Sequence, residues 1–220
     1  AKLTEAKAGK IRDAVASRGL SISSLAWYCN FMDEKNGKKH IEHAIKSLDA
    51  AALLKVDVVC MLAGWPVKGL SKVETIKKVA PGLWKPILAH ARKRKIKIAI
   101  ENYFDTLLQG LDTFEALMTA IPDENFGLNY DPSHLYHQQC DHLIPVSAYG
   151  KRIFHTHAKD CLVDRAKRAT VGIYGQGWWR YVIPGFGNIG WGEYISHLRA
   201  NGYDGVLSIE HEDGAQTVEE

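Results

Sequence analysis

Apolar residues recur at two different periods along this 220-residue chain, and the two take turns from one end to the other. Helical spacing, in which apolar positions fall three and four apart, covers residues 4–18, 39–54, 73–93, 106–120, 141–149 and 191–200. Ile41, Ala44, Ile45, Leu48, Ala51 and Ala52 make the stripe of the second segment, and Leu111, Phe114 and Leu117 that of the fourth. Thr4 is placed to cap the first helix and Gly19 to stop it, while Pro81-Gly82 predicts a break in the third. Between these segments lie short apolar runs at 20–28 and 56–62, followed by runs that end at Glu101, Asp131, His157 and Glu210. They are nearly continuous rather than alternating, so each strand is expected to be covered on both faces. That is the signature of a parallel sheet with helices outside it.

Residues 161–190 break the alternation. They are rich in glycine and aromatics, have little periodicity, and are long enough to be read as a functional loop. No repeat, low-complexity tract or linker divides the chain, so one α/β domain spanning 1–220 is predicted.

Composition adds mainly exclusions. The chain is 46% hydrophobic, 24% charged and 10% aromatic, with a net charge of +3. Lys and Arg are dispersed except at Arg92-Lys93-Arg94-Lys95, where they complement a helix C-terminus. A nucleic-acid partner is therefore not expected. No apolar run approaches the length of a membrane span. Cys29, Cys60, Cys140 and Cys161 have neither zinc-finger nor CxxC spacing and read as free thiols. With no signal-peptide pattern at the start, a cytoplasmic location is expected.

The chemistry lies at the strand ends. In an α/β barrel the strand C-termini open onto one face, so four successive strands would bring Glu101, Asp131, His157 and Glu210 together. Three carboxylates and an imidazole suit Mn²⁺ first, with Mg²⁺, Co²⁺ or Zn²⁺ as alternatives. Such an ion would polarise a carbonyl, and Glu101 and Glu210 would move protons at the adjacent carbon. His134, one step past the Asp131 strand, is placed to donate to a substrate oxygen. Lys159 shares strand parity with His157, and Arg180 lies in the aromatic run Gly177-Trp178-Trp179-Arg180-Tyr181; both are assigned to substrate binding.

Each residue also has a plainer reading. A glutamate at a strand end can be a surface carboxylate, Asp131 a turn or cap residue, and His155 and His157 a pair of hydrogen-bonded core histidines. Lys159 can snorkel to the surface, and the aromatic run can be a hydrophobic plug. The joint occurrence at four strand ends is what favours the metal.

These motifs, Ile100-Glu101-Asn102, Asp131-Pro132-Ser133-His134-Leu135, His155-Thr156-His157-Ala158-Lys159-Asp160 and Ile209-Glu210-His211-Glu212-Asp213, resemble those of the sugar phosphate isomerase/epimerase superfamily, the xylose-isomerase-like TIM barrels. The resemblance implies a (β/α)8 fold with Glu101, Asp131, His157 and Glu210 as metal ligands. It makes Glu101 and Glu210 the proton-transfer pair and His134 a substrate contact. The implied activity is a metal-dependent sugar or keto-sugar isomerase or epimerase working through an enediolate. A lyase that eliminates from the same enolate is the alternative, and a catalytically silent binding protein the second. An endonuclease of the same superfamily would need more histidines at strand ends.

Two features depart from the pattern. The six strands resemble the third to eighth of the barrel, so the first two are absent. In ketose 3-epimerases an arginine stands six residues after the metal histidine, and here Val163 does. Residues 4–18 are expected to form an outer helix, and residues 20–28 a strand with one unpaired edge. Residues beyond this sequence, or a second subunit in a homo-oligomer, are expected to cover that edge.

Overall fold

The computed structural model describes residues 3–217. Helix α1 (Glu5–Ala16) starts at Thr4, whose hydroxyl accepts from the Lys7 amide. Strand β1 (Leu25–Trp27), helix α2 (Gly37–Leu54) and strand β2 (Val58–Leu62) follow. The predicted break near Pro81 is real. The chain forms α3 (Lys72–Lys78), opened by a Ser71/Glu74 capping box, and then α4 (Ala80–Arg94), with Pro81 in the first turn, where its missing N–H costs nothing. Strand β3 (Lys97–Glu101), helix α5 (Leu111–Ala120) and strand β4 (Phe126–Tyr130) come next, followed by α6 (Ser133–Tyr136) and α7 (Ile144–Tyr149). Strands β5 (Ile153–Ala158) and β6 (Asp160–Val163), helix α8 (Arg165–Val171), strand β7 (Trp179–Val182), helix α9 (Trp191–Ala200) and strand β8 (Leu207–Ile209) complete the order.

Six strands form one parallel sheet in the order β1-β2-β3-β4-β5-β8, an incomplete (β/α)8 barrel. Outside it, Trp84 of α4 packs edge-on against Phe31 and Phe126 in a continuous core. Close approach is enforced at Gly127, where an added Cβ would collide with the Arg152 carbonyl and the Phe154 ring. The Arg152 guanidinium donates to the carbonyls of Phe126, Met118 and Ile121 and so ties the end of α5 to the start of β4.

Three expectations need correction. The first strand is three residues rather than the predicted 20–28. It pairs only through Leu25–Trp27, and Ser23 and Ser24 turn their hydroxyls to His155 instead of extending the ladder. The predicted helix 106–120 starts at Leu111, because Thr106 turns back to the Tyr103 carbonyl and the Leu107 amide bonds Gly64. Residues 161–190 are not one long loop. Strands β6 and β7 pair antiparallel into a hairpin with α8 between them. The Asp160 carboxylate anchors the segment that follows, accepting from the amides of Cys161, Gly185, Gly187 and Ile189 and from the Trp191 indole.

Candidate metal centre

The parallel register brings the strand ends level. Glu101 closes β3 opposite Asn129 of β4; Asp131 follows β4; His157 of β5 lies opposite Ser208 of β8; and the Glu210 amide bonds the Ala158 carbonyl just past β8. One ligand atom from each of Glu101, Asp131, His157 and Glu210 lies within 4.8 Å of the others. His157 Nδ1 is 3.4 Å from Glu101 Oε1 and 3.1 Å from Glu210 Oε2.

Neighbouring loops hold these groups in place. Asn102 and Asp131 exchange hydrogen bonds, side chain to backbone in both directions, at 2.7 and 2.9 Å. Asp131 Oδ1 accepts from the Ser133 amide and hydroxyl, the turn role foreseen as its plainer reading, and this leaves Oδ2 to face the cluster. Among the described residues, Asp131 Oδ2, His157 Nδ1 and Glu210 Oε2 are buried and make no hydrogen bond of good geometry. Their contacts are close ion pairs with one another and with Lys159. Converging ligand atoms on hard oxygen and imidazole groups without hydrogen bonds of their own are what a bound divalent ion would satisfy, so these residues fit a metal.

Charge in the cluster is strongly coupled. Burial opposes ionisation of Glu101, but His134 and His157 beside it hold its carboxyl well below the usual range. Burial likewise opposes a charge on His157, yet Glu101 and Glu210 push it up to about 10. Glu210 is lowered against burial by His157 and Lys159.

Lys159 does not snorkel. Its side chain is 2% exposed, with Nζ at 3.2 Å from Asp131 Oδ2, 2.8 Å from Glu210 Oε2 and 3.1 Å from Glu212 Oε2. It also sits 4.6 Å over the Tyr181 ring. His134 Nε2 reaches the cluster at 3.4 Å from Asp131 Oδ2 and 3.6 Å from Glu101 Oε1. Arg180 is not brought in: it alternates away from Trp179 and Tyr181 on β7 and pairs with Asp213. Trp179 stacks flat on His137, with centroids 3.9 Å apart, and Tyr181 meets His134 edge-on.

For His155 the plainer reading holds. Its Nδ1 bonds Asn129 Oδ1 at 3.0 Å, its Nε2 lies near Ser23 and Ser24, and burial with the nearby His157 charge lowers it to about 4. Asn129, between His155 and His157 Nε2, was missed in the sequence. Its position two residues before Asp131, on the same strand face, was the available signal. Asn102 carries a similar supporting role that nothing in its spacing announced.

The sequence model of the family described as xylose isomerase-like TIM barrel matches residues 1–220. Among curated relatives, the uncharacterized protein YfiH of Bacillus subtilis is 28% identical, over 94% of this chain and 76% of its own length. An inosose dehydratase of Clostridium perfringens is 26% identical, over 92% of this chain and 73% of its own. A xylose isomerase domain protein from Planctomyces limnophilus superposes with a TM-score of 0.79 at 16% identity, covering 96% of this chain and 78% of that one. The IolI protein, solved with a bound zinc atom, gives 0.72 at 21% identity, covering 93% and 73%. The chain thus spans about three quarters of each of these relatives. Its strand order, the convergence of its strand ends and the end-to-end match agree: the chain belongs to the xylose isomerase-like TIM barrel family.

Proposed function

We propose that this chain is a divalent-metal-dependent enzyme that removes a proton next to the carbonyl of a sugar or keto-sugar and returns it in an isomerised or epimerised product. The observation that carries the reading is the approach of two carboxylates, Glu101 and Glu210, to the same atom of His157 from different strands. A cation held by Glu101, Asp131, His157 and Glu210 would supply Lewis acidity at the carbonyl oxygen. Mn²⁺ is the first choice for this donor set, with Mg²⁺, Co²⁺ and Zn²⁺ as alternatives.

Both glutamates favour the ionised form, so either can act as base at neutral pH. The C–H bond breaks, its electron pair forms a double bond to the carbonyl carbon while the carbonyl π pair moves onto the oxygen, and the carboxylate holds the proton until it is redelivered. Glu101 is buried and Glu210 half-buried, so the two carboxylates reach the cluster from differently exposed sides. His134 and Lys159 reach the same cluster and would meet substrate oxygens bound there.

Elimination is the second reading, and the named activity of the inosose dehydratase relative favours it. The first half-reaction is shared; the enolate then expels a β-hydroxyl, which takes up the proton held by the carboxylate and leaves as water. Both readings are tested by incubating the Mn²⁺-loaded protein in D₂O with a panel of ketoses, keto-glycosides and inososes. Deuterium at the carbon beside the carbonyl, without new ultraviolet absorbance, supports isomerisation or epimerisation. An absorbing unsaturated ketone supports the lyase. The absence of both exchange and new ultraviolet absorbance with every compound would defeat both and leave a silent binding protein.

A further inference from the structure

We propose that Arg165 and Arg168 form an anion site, separate from the metal centre, that takes a phosphate group. It goes beyond the proton-abstraction reading and does not depend on it.

Both arginines belong to α8, three residues apart and therefore on one face of the helix. With Tyr136, Gln139, Val163 and Asn188 they line a small open cavity of about 160 Å³. Pockets that enclose a whole small molecule measure about 300–1,000 Å³, so this one suits a phosphate group rather than an entire sugar.

The acceptors around the cavity are already spent. Gln139 Oε1 accepts from Arg168 Nη1, and Asn188 Oδ1 accepts from the Val163 amide at 2.7 Å. A guanidinium and a backbone N–H can only donate, so the partners fix which way each amide points. Gln139 Nε2 is in turn given to the Tyr136 carbonyl. That leaves Asn188 Nδ2 and the remaining guanidinium N–H groups as donors. No carboxylate lines the cavity among the described residues, and the neighbouring Asp164 caps α8 by accepting from the Lys167 amide.

Arg12, Arg92, Arg94 and Arg180 each pair with a carboxylate, whereas Arg165 and Arg168 have none among the described residues. Arg168 is nonetheless held. It is half-buried, bonded to Gln139 and 5.7 Å over the Trp178 ring, which fixes its planar fork before a ligand arrives. Arg165 is exposed. Two like charges at this spacing repel, and a dianion between them replaces repulsion with attraction. One guanidinium fork would fill both oxygens of a carboxylate. The three free oxygens of a phosphate ester can engage both forks and the Asn188 amide.

Lys159, which pairs with Asp131 and Glu210, immediately precedes β6, and the cavity lies past the far end of that strand. At about 3.3 Å per residue, Lys159 and Val163 stand roughly 13 Å apart along it. A phosphate held there arrives either as the ester of a longer ligand or as the free ion.

Calorimetric titration of the full chain in Mg²⁺ with inorganic phosphate, at low ionic strength, tests the proposal. One saturable site per chain is expected, weakened at least about 10-fold in Arg165→Gln and in Arg168→Gln, the equivalent of one charge-assisted hydrogen bond. Arg165→Gln alters an exposed side chain with no bond to the rest of the fold, so its effect is not one of folding. Lys167→Gln removes the same charge from the same helix outside the cavity and should weaken binding less than about 2-fold. No saturable binding at millimolar phosphate would overturn the proposal. So would equal binding by the double variant Arg165→Gln/Arg168→Gln, or a loss in Lys167→Gln as large as in the arginine variants. Hexose phosphates, compared with the free hexoses, identify the source. An ester that binds more tightly than inorganic phosphate, and loses that advantage in the double variant, marks a phosphorylated ligand; an ester that binds no better marks free phosphate. Phosphate binding by a protein that exchanges no sugar proton would defeat the proposed activity alone, and exchange without phosphate binding would defeat this site alone.

Discussion

Asp160 illustrates how a single side chain supports a site it does not enter. It is fully buried and has no cation paired with it among the described residues, yet five N–H groups converge on its two oxygens. Three of those donors, the Gly185 and Gly187 amides and the Trp191 indole, point at Oδ2. Asp160→Asn would set an amide NH₂ against at least one of the two donor groups, so a loss of about 2–4 kcal/mol is expected, read as a lower urea midpoint. Gly187 has no freedom either, since an added Cβ would strike the Asp160 carboxylate. His137 makes a second residue-scale prediction. Burial, with His134 and Lys159 nearby, lowers it to about 3, against about 6.5 in the unfolded chain. Its contribution to stability is complete above pH about 6.5 and is lost as pH falls toward 3, because the unfolded chain then binds a proton the fold refuses. The slope reaches about 1.4 kcal/mol per pH unit. Stability measured from pH 7 to 4 should therefore fall less steeply in His137→Gln than in the wild type; equal slopes would contradict the assignment.

At the scale of elements, α2 and α4 both end on a lysine in the left-handed region, Lys55 at φ 56° and Lys95 at φ 58°. A side chain there costs about 1–2 kcal/mol, partly offset by the greater unfolded-state freedom of glycine. Lys55→Gly and Lys95→Gly should each stabilise the protein by about 0.5–1 kcal/mol, raising the urea midpoint at constant slope. The two lysines mark where sequence reading works and where it stops. Helical periodicity located both helices and ended them at 54 and 93, against Leu54 and Arg94 observed, but nothing in it announced that the residues closing them are left-handed lysines. Long apolar runs were equally readable, and β2 through β5 lie where the pattern placed them. The β6–β7 hairpin was not readable. Its pairing partners lie far apart in sequence, and Trp179, Arg180 and Tyr181 owe their facing to that pairing rather than to local periodicity. Tyr181 was therefore seen as one aromatic among several, and Arg180 as a substrate contact, before the register turned one toward His134 and the other toward Asp213.

For the whole molecule, the six-stranded arc leaves β1 and β8 as edges, with no further strand pairing them among the described residues. Among the described residues no helix is long and apolar enough to cross a membrane. We propose that a second subunit or a further segment covers the β1 edge, as its lack of charge and proline suggests. Hydrogen exchange tests this: with the edge open, Leu25–Trp27 should exchange much faster than β3 and β4, whereas protection equal to theirs would show it covered. The metal centre is less exposed to the gap, because its residues come from β3, β4, β5 and the end of β8, which are neighbours in the sheet even though the β4–β5 register shifts between Leu128 and Asn129. That adjacency is why four strand ends sufficed to find it from sequence. Its central claim is one divalent ion shared by Glu101, Asp131, His157 and Glu210. Calorimetric titration of the metal-free protein with Mn²⁺ tests that most directly. The account predicts one ion per chain, with binding weakened at least about 100-fold in Asp131→Asn, where a charged ligand is lost. No binding, or equal binding by that folded variant, would contradict it.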